Sequence, residues 1–350
     1  MKYLFLLLLS APAIYCYGQG TADTLQSYNK AMAFYKNAQY DSAYQYFNES
    51  FQKGSRQAEL YLGMMLRNGL GVRKDAPRAL QIMRKFALSN KHAMFYTGEM
   101  YYFGEGTAVN KDSARVYFEL VNLYGGNPKA WAYIAIDYLG NDNEEALWRL
   151  RKSADKGVDY AKFLLGKIFY YGSYGIEKDF DEALKWLVPV SKLSSYAKES
   201  NRILGWIYYG RTNYVSSFQH FLTAAENGDR DSQYLVSVLY SEGKGTQQNT
   251  VKAFGWYRKA ADAGHAMAQN NLGNCFEKGL GTEKDLVAAR QWYLKAADQN
   301  VPQAQYNLAR IYGMGLGIEK DETKSRHYLQ KAADQGYTDA INTLNQLNKQ

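Results

Sequence analysis

Cysteine is scarce in this sequence, which has only two cysteines in 350 residues. Cys16 lies in an apolar N-terminal segment, so removal of that segment would leave Cys275 as the single thiol. A chain with one thiol has no internal disulfide. Side-chain packing alone must therefore hold the chain together.

Motifs for catalysis and for metal or nucleotide binding are also lacking. Two S-x-x-K tetrads, Ser153–Lys156 and Ser195–Lys198, have no S-D-N or K-T-G partners. The glycine-containing segment Gly243–Thr246 lacks the spacing of a phosphate-binding loop. The histidines show no HxxxH or HExxH pair, which argues against a metal site. We therefore predict no catalytic residue, no cofactor and no enzymatic activity. The four histidines are His92, His220, His265 and His327.

Charge is not concentrated in runs, although the formal net charge is +8. The basic residues are spread along the chain, and no basic stretch suits a phosphate backbone. We therefore expect no nucleic-acid partner. A mildly basic surface is compatible with acidic partners, but it is also common on soluble surfaces.

The N-terminus carries the features of a secretory signal peptide. Lys2 is followed by the apolar stretch 4–9 and by the small residues Ala11, Ala13 and Gly18. We predict a signal peptide at residues 1–18, with cleavage near Gly18 or, alternatively, after Ala13. The stretch is too short to anchor the mature chain across a membrane, and we expect no transmembrane span in that chain.

The signal peptide predicts that the chain is exported, either without a lipid anchor or as a lipoprotein. We predict a bacterial protein that is periplasmic, on the cell surface or secreted. Lipoprotein anchoring through Cys16 is a minority alternative, because Tyr15 occupies the position before the cysteine, where a small residue is normally found.

One pattern recurs at a fixed period in the C-terminal third. Copies begin at Ser232, Ala268 and Ala304, each 36 residues after the last, and Ala340 opens a fourth copy that soon ends. A period of this length indicates a solenoid in which each repeat packs only on its neighbours.

Each repeat has the pattern of a helix hairpin. Ala268, Leu272 and Phe276 form one stripe along a first helix, and Gly273 leaves space for a second helix to cross closely. A Gly-x-Gly segment at 279–281 then ends the first helix. The second helix repeats small residues around one large aromatic side chain, which is Trp292 in this repeat. Glu-Lys-Asp triplets at 177–179, 283–285 and 319–321 precede second helices, where an Asp can cap the free amides.

The order A-xxx-LG-xx-Y-xx-G-x-G followed by A-xx-W/Y-xxx-A resembles the Sel1-like repeat, a relative of the tetratricopeptide repeat. This resemblance implies an all-α fold, a right-handed α-solenoid of helix hairpins. Some secreted members carry a disulfide in each hairpin, and this sequence departs from that pattern. Cys275 aligns with Leu239 and Ile311 of the adjacent repeats, so we expect a buried, apolar thiol.

The chain divides into segments on this pattern. Residues 24–57 resemble a tetratricopeptide hairpin without the Gly-x-Gly loop, and residues 340–350 suit a capping helix. Pro189 should kink or end the second helix of its repeat, and the stretch from Pro189 to Ser200 is predicted to be a looser connection. Eight Sel1-like repeats fill residues 58–339, starting at 58, 93, 130, 161, 200, 232, 268 and 304.

The resemblance places a concave groove on the first helices, at positions 2, 6, 9 and 10 of each repeat. In the middle repeats these positions are rich in aromatic residues, and in the last repeats they are polar. Exposed aromatics mark interaction surfaces, but the same side chains could instead pack between neighbouring first helices. The candidates for partner binding are Phe95, Tyr102, Phe163, Lys167, Tyr170, Tyr171, Arg202, Trp206 and Tyr209.

The resulting functional prediction is a non-enzymatic scaffold of the bacterial cell envelope, a monomeric solenoid that binds a protein or peptide in its groove. One alternative is binding of a glycan or peptidoglycan by the groove aromatics. A third is a secreted β-lactamase-like hydrolase, which some relatives suggest. Repeat solenoids usually bind rather than catalyse, but a fold does not determine a function.

Overall fold

The computed structural model describes residues 22–348, so the predicted signal peptide and Cys16 lie outside the described residues. These residues form helices and no β-strand. They divide into two compact units. The N-terminal unit comprises residues 22–165 with 174–176, and the C-terminal unit comprises 166–173 with 177–348.

The described helices follow one another as antiparallel hairpins, and the predicted all-α solenoid of helix hairpins is confirmed. Short 3₁₀ turns lie at Ser173–Gly175 and Val188–Val190. The α-helices are α1 Ala22–Lys36, α2 Tyr40–Gln52, α3 Arg56–Asn68, α4 Ala76–Phe86, α5 Lys91–Phe103, α6 Lys111–Leu123, α7 Pro128–Tyr138, α8 Asn143–Asp155, α9 Asp159–Tyr171, α10 Phe180–Leu187, α11 Ser194–Gly210, α12 Tyr214–Glu226, α13 Arg230–Glu242, α14 Thr250–Asp262, α15 Ala266–Lys278, α16 Leu286–Asp298, α17 Pro302–Met314, α18 Glu322–Asp334 and α19 Thr338–Leu347.

Side-chain caps start most helices. The Asp of each Glu-Lys-Asp triplet caps a second helix, as the sequence predicts: Asp285 Oδ1 accepts from the amides of Val287 (3.0 Å) and Ala288 (2.9 Å). Asp179 and Asp321 cap α10 and α18 in the same way. Each cap satisfies backbone donors that have no partner within the helix.

The two glycines of the Gly-x-Gly segment have different structural roles. Gly279 ends α15 in the left-handed conformation (φ 72°) that glycine adopts without strain. Gly281 lies against the preceding hairpin, where an added Cβ would overlap the carbonyl of Thr250. Gly245 meets the carbonyl of Tyr214 in the same way. The second glycine therefore permits backbone-to-backbone contact between successive hairpins.

A third glycine lies where the two helices of a hairpin cross. An added Cβ on Gly273 would lie 2.8 Å from ring carbons of Tyr293, and one on Gly205 would lie 2.6 Å from Phe221. Tyr293 and Phe221 are fully buried. The crossing predicted at Gly273 is thus confirmed, but the aromatic residue that fills it is Tyr293 and not the neighbouring Trp292 that the spacing suggested.

Pro189 ends its helix as predicted. α10 stops at Leu187, and the 3₁₀ turn that follows contains the proline. Proline has no amide hydrogen to donate, so it cannot continue the helical bonding pattern.

The segment after Pro189 is not the loose connection that the sequence suggested, because α11 already begins at Ser194. Buried Asn201 explains this order. Its Nδ2 donates to the carbonyls of Ser191 (2.7 Å) and Ala197 (2.8 Å), which ties the turn to the helix.

A repeated glutamine joins successive hairpins in the C-terminal unit. Gln269 Nε2 donates to the carbonyl of Ala261 in the preceding second helix at 3.2 Å. Gln233 makes the equivalent bond to Ala225 at 3.3 Å. The side-chain oxygen of Gln269 in turn accepts from Gln299 Nε2 at 2.8 Å.

The first copy of this arrangement is incomplete. Ala263 stands where the next repeats have Gln299 and Gln335, and the buried Oε1 of Gln233 has no hydrogen-bond partner. A buried acceptor without a donor costs stability. The backbone at Ala263 (φ −76°, ψ 4°) is close to that at Gln299 (φ −88°, ψ 17°).

We expect Ala263→Gln to stabilise the protein by about 1 kcal/mol, because the new amide can donate to Gln233 Oε1. Chemical denaturation followed by circular dichroism measures the change. Ala263→Met is the matched control, since it has similar length without a donor. Equal effects of the two substitutions would show that the missing hydrogen bond is not the cause.

A histidine caps α15 in place of the usual Asp, Asn or Ser. His265 Nδ1 accepts from the amide of Ala268 at 3.2 Å, and its ring stacks on Tyr234 at 4.4 Å. The cap requires a neutral Nδ1. Burial lowers the pKa of His265, although Asp231, with a carboxylate oxygen 3.9 Å from Nε2, opposes the shift.

Because its pKa is lower in the folded than in the unfolded chain, the unfolded state binds more protons as the pH falls below about 6.5. The stability contributed by the His265 cap is therefore present above that pH and lost as the pH falls through the folded pKa. His265→Ser, which keeps a capping oxygen, should remove this component. The free energy of unfolding of the unsubstituted chain and of His265→Ser, measured at several pH values, checks this prediction. The same pH dependence in both proteins would contradict it.

Candidate partner-binding surface

The first-helix face is defined here by positions 2, 6, 9 and 10 of each repeat. Three of the predicted binding residues lie in the N-terminal unit and six in the C-terminal unit. The N-terminal residues are Phe95, Tyr102 and Phe163, and the C-terminal residues are Lys167, Tyr170, Tyr171, Arg202, Trp206 and Tyr209.

In the N-terminal unit, Phe95 belongs to the core. Its side chain is only 5% exposed and packs against Phe118 (ring centroids 5.8 Å apart) and Tyr133 (6.4 Å). Phe95 is thus not available to a partner in this arrangement. Phe163 is half-buried.

Tyr102 lies half-buried at the edge of the same aromatic cluster. Its ring is 4.9 Å from Tyr133, and Lys111 Nζ lies 2.9 Å from its ring centroid. Burial, with the nearby Tyr160 and Asp137, raises the pKa of Tyr102 to about 12. Its phenol therefore remains neutral at physiological pH.

Phe103 is the exposed member of this cluster. It is 53% exposed and meets the rings of Tyr102 (5.0 Å) and Tyr133 (5.8 Å) edge to face. It occupies position 10 of its repeat, as Tyr171 does. That position predicted that Phe103 faces the groove, although Phe103 is not among the predicted binding residues.

An ion-pair network that sequence reasoning missed lies beside this cluster. Arg67 donates to Glu99 at 2.9 Å and to Glu105 at 2.6 Å. Glu99 also accepts from the hydroxyl of Tyr133 at 3.3 Å. Arg67 is at position 9 of its repeat and Glu99 at position 6 of the next, so the pair joins two successive first helices.

In the C-terminal unit, Tyr170 and Tyr171 end α9. Their rings meet at 4.8 Å, and Tyr171 is 42% exposed. The hydroxyl of Tyr171 lies 3.5 Å from Arg202 Nη2, and Lys167 pairs with Glu199 at 2.8 Å.

Trp206 and Tyr209 continue the face along α11. Trp206 is 39% exposed, and its ring lies 5.8 Å from Tyr209 and 5.3 Å from buried Phe221. The hydroxyl of Tyr209 accepts from Lys244 Nζ at 2.9 Å. Lys244 lies in the Gly-x-Gly loop, so its sequence position did not indicate this contact.

The last repeats present a polar face, as the sequence predicts. Glu277 accepts from Arg310 at 2.5 Å and from the buried hydroxyl of Tyr293 at 2.8 Å. Arg310 and Glu277 occupy the same positions 6 and 9 as the N-terminal ion pair, with the charges reversed. Asn307 donates to Asn270 at 3.1 Å.

The described residues offer little chemistry for a metal or a nucleophile. Within residues 22–348 no group of His, Cys, Asp and Glu side chains is arranged to hold a metal ion. Cys275 is buried as predicted, and burial raises the pKa of its thiol to about 11. None of the described helices is long and apolar enough to cross a membrane.

The Sel1 repeat family model matches eight segments that together cover more than half of the chain, and one of them, at 6–38, extends beyond the described residues. The chain belongs to the Sel1 repeat family. The hairpin of α7 and α8 lies between two matched segments. The matches are at 6–38, 56–90, 91–120, 159–188, 199–229, 230–265, 266–301 and 302–337.

Two solved structures resemble this Sel1 repeat protein. A protective antigen of uropathogenic Escherichia coli with an SLR fold is 25% identical, with a TM-score of 0.74 over 85% of this chain and 65% of that one. A signal transduction ATPase with a tetratricopeptide repeat sensor, from Pyrococcus horikoshii, has a TM-score of 0.54 at 15% identity, over 93% of this chain and 54% of that one. The second likeness shows the fold alone.

A plant relative shares part of the sequence. The ERAD-associated E3 ubiquitin-protein ligase component HRD3B of Arabidopsis thaliana is 29% identical over 113 residues, 31% of this chain and 17% of that protein. The Sel1 repeat protein therefore spans less than two thirds of the length of each of these relatives.

Two substitutions in the N-terminal unit distinguish a core aromatic residue from an exposed one. Phe95→Ala should cost about 3–5 kcal/mol of unfolding free energy, because it opens a cavity in the core. Phe103→Ala should cost about 1 kcal/mol or less, because that ring is already half in water. Equal losses in chemical denaturation would mean that Phe103 is a core residue and not part of a surface.

Proposed function

We propose that this Sel1 repeat protein is a non-enzymatic scaffold of the bacterial cell envelope that holds a peptide or partner protein on its first-helix face. The observation that carries the proposal is the exposure of Tyr171 and Trp206 on first helices of the C-terminal unit. Large apolar side chains left in water cost free energy that a partner recovers by covering them. Aromatic residues beside Arg and Lys are also typical of binding hot spots.

The relatives support assembly with other proteins. Sel1 repeat proteins are generally scaffolds, and the plant relative is named as a component of a ligase. The envelope location rests on a separate observation, the signal-peptide pattern of residues 1–18.

Binding of a glycan is the second candidate. Its support is the half-exposed Trp206, whose edge-to-face contacts with Tyr209 (72°) and Phe221 (82°) fix the ring in one orientation. A fixed aromatic ring can stack on a sugar as well as on a peptide side chain.

The S-x-x-K match at Ser153 gives no support to a hydrolase. The Ser153 side chain is buried, and its hydroxyl donates to the carbonyl of Pro128 at 2.5 Å. A serine that tethers two helices in this way has a structural role.

The test is capture of a partner from the envelope fraction of the producing cell by the tagged chain. Tyr171→Ala/Trp206→Ala should lose the partner while keeping the helical circular dichroism spectrum. Trp256→Ala/Val251→Ala is the matched control, because it removes a tryptophan and an exposed aliphatic residue from the second helix α14.

The control should retain the partner. Equal retention by both double variants would place the binding surface elsewhere. Absence of the chain itself from the envelope fraction would contradict the proposed location, and displacement of the partner by peptidoglycan fragments would favour the glycan candidate.

A further inference from the structure

Two aromatic rings flanked by two cations form a strip on the first-helix face of the C-terminal unit. The aromatic–cation strip is defined as Arg202, Trp206, Tyr209 and Lys244. The first three lie one helical turn apart on one face of α11. The Trp206 and Tyr209 rings lie 5.8 Å apart, and the hydroxyl of Tyr209 lies 2.9 Å from Lys244 Nζ.

Lys244 is held in position without being neutralised. No described carboxylate lies within ion-pair distance of its ammonium group, which instead faces two rings. Its Nζ is 4.7 Å from the ring centroid of Tyr209 and 4.2 Å from that of Tyr214. Contacts with ring faces orient a cation but leave its charge uncompensated.

Arg202, at the other end of the strip, has only long contacts. Its guanidinium lies 3.6 Å from Asp229 and 4.0 Å from Glu199. Glu199 makes its short contact with Lys167 instead, at 2.8 Å. A guanidinium has five N–H donors, so Arg202 retains donors for a further acceptor.

In the polar last repeats of the same unit, by contrast, a carboxylate neutralises the cation on the first-helix face. Arg310 closes on Glu277 at 2.5 Å, and Glu277 is itself buried. The strip therefore differs from the last repeats in having cations that no resident carboxylate saturates.

From this charge pattern we infer that the aromatic–cation strip selects an acidic peptide segment, with one carboxylate on Arg202, one on Lys244 and an apolar side chain on Trp206. The inference rests on the proposed function and names the partner's chemistry. Arg202 and Tyr209 are seven positions apart on α11, a rise of about 10 Å along the helix, and the hydroxyl of Tyr209 contacts Lys244. An extended peptide covers about 10 Å in about three residues, so we expect about that spacing between the two carboxylates.

The first arm of the test is selection of binders from a random peptide display library on the full chain. Recovered sequences should be enriched in Asp or Glu pairs about three residues apart, with an aliphatic or aromatic residue between them. Recovery of neutral or basic sequences, or of no binders, would overturn the inference.

The second arm measures the affinity of one selected peptide by fluorescence anisotropy, together with a version in which Gln replaces each acidic residue. Lys244→Met should weaken the acidic peptide about tenfold, a 1.4 kcal/mol effect, and leave the Gln version unchanged. Lys244→Arg keeps the charge and should restore binding. Lys295→Met is the matched control, since Lys295 likewise lies over an aromatic ring, that of Trp292, with its Nζ 3.9 Å from the centroid.

The outcomes separate this inference from the proposed function. Equal binding of the acidic and Gln peptides overturns the inference, and so does an equal loss of affinity with Lys244→Met and Lys295→Met. The proposed function would still stand if envelope-partner capture depended on Tyr171 and Trp206. If partner capture did not depend on Tyr171 and Trp206 either, both the inference and the proposed function would be wrong.

Discussion

Backbone contact between successive hairpins is the constraint on which the rest of each unit depends. Gly245 and Gly281 lie against the carbonyls of Tyr214 and Thr250 so closely that no side chain fits between them. A contact of this kind admits one register, because a shift would bring a side chain into the same space. In that register, Gln233 and Gln269 each donate a hydrogen bond to a backbone carbonyl of the preceding second helix.

Once the backbones are in this register, equivalent positions of adjacent first helices meet. Position 9 of one repeat faces position 6 of the next, and the chain fills this meeting point with an ion pair at Arg67 and Glu99 and with the reversed pair at Glu277 and Arg310. In the middle repeats these positions hold aromatic and other side chains: Tyr102, Ile136, Leu139, Lys167, Tyr170, Trp206 and Tyr209. Because each repeat packs mainly on its neighbours, the chemistry of the face can change from one repeat to the next while the hairpins are retained.

Small residues at the crossings explain why large ones reach the surface. At several crossings one large side chain lies against a glycine, such as Phe221 against Gly205 or Tyr293 against Gly273. Trp206 and Tyr171 on the first helices are not enclosed in this way and remain substantially exposed. The exposed aromatic surface is therefore a consequence of close packing combined with a sequence rich in tyrosine.

The sequence by itself determined the repeat period, the hairpins, the Asp caps, the crossing at Gly273 and the buried state of Cys275, because these depend on spacing within a repeat or between neighbouring repeats. Only the tertiary structure decided that Phe95 is buried while Phe103 is exposed, and that Lys244 joins Tyr209. It also showed that the chain is helical from Ser194, where Asn201 binds the preceding turn. The reason is physical: helical periodicity states which side of a helix a residue occupies. Exposure, by contrast, depends on the side chains that adjacent helices bring to the same place.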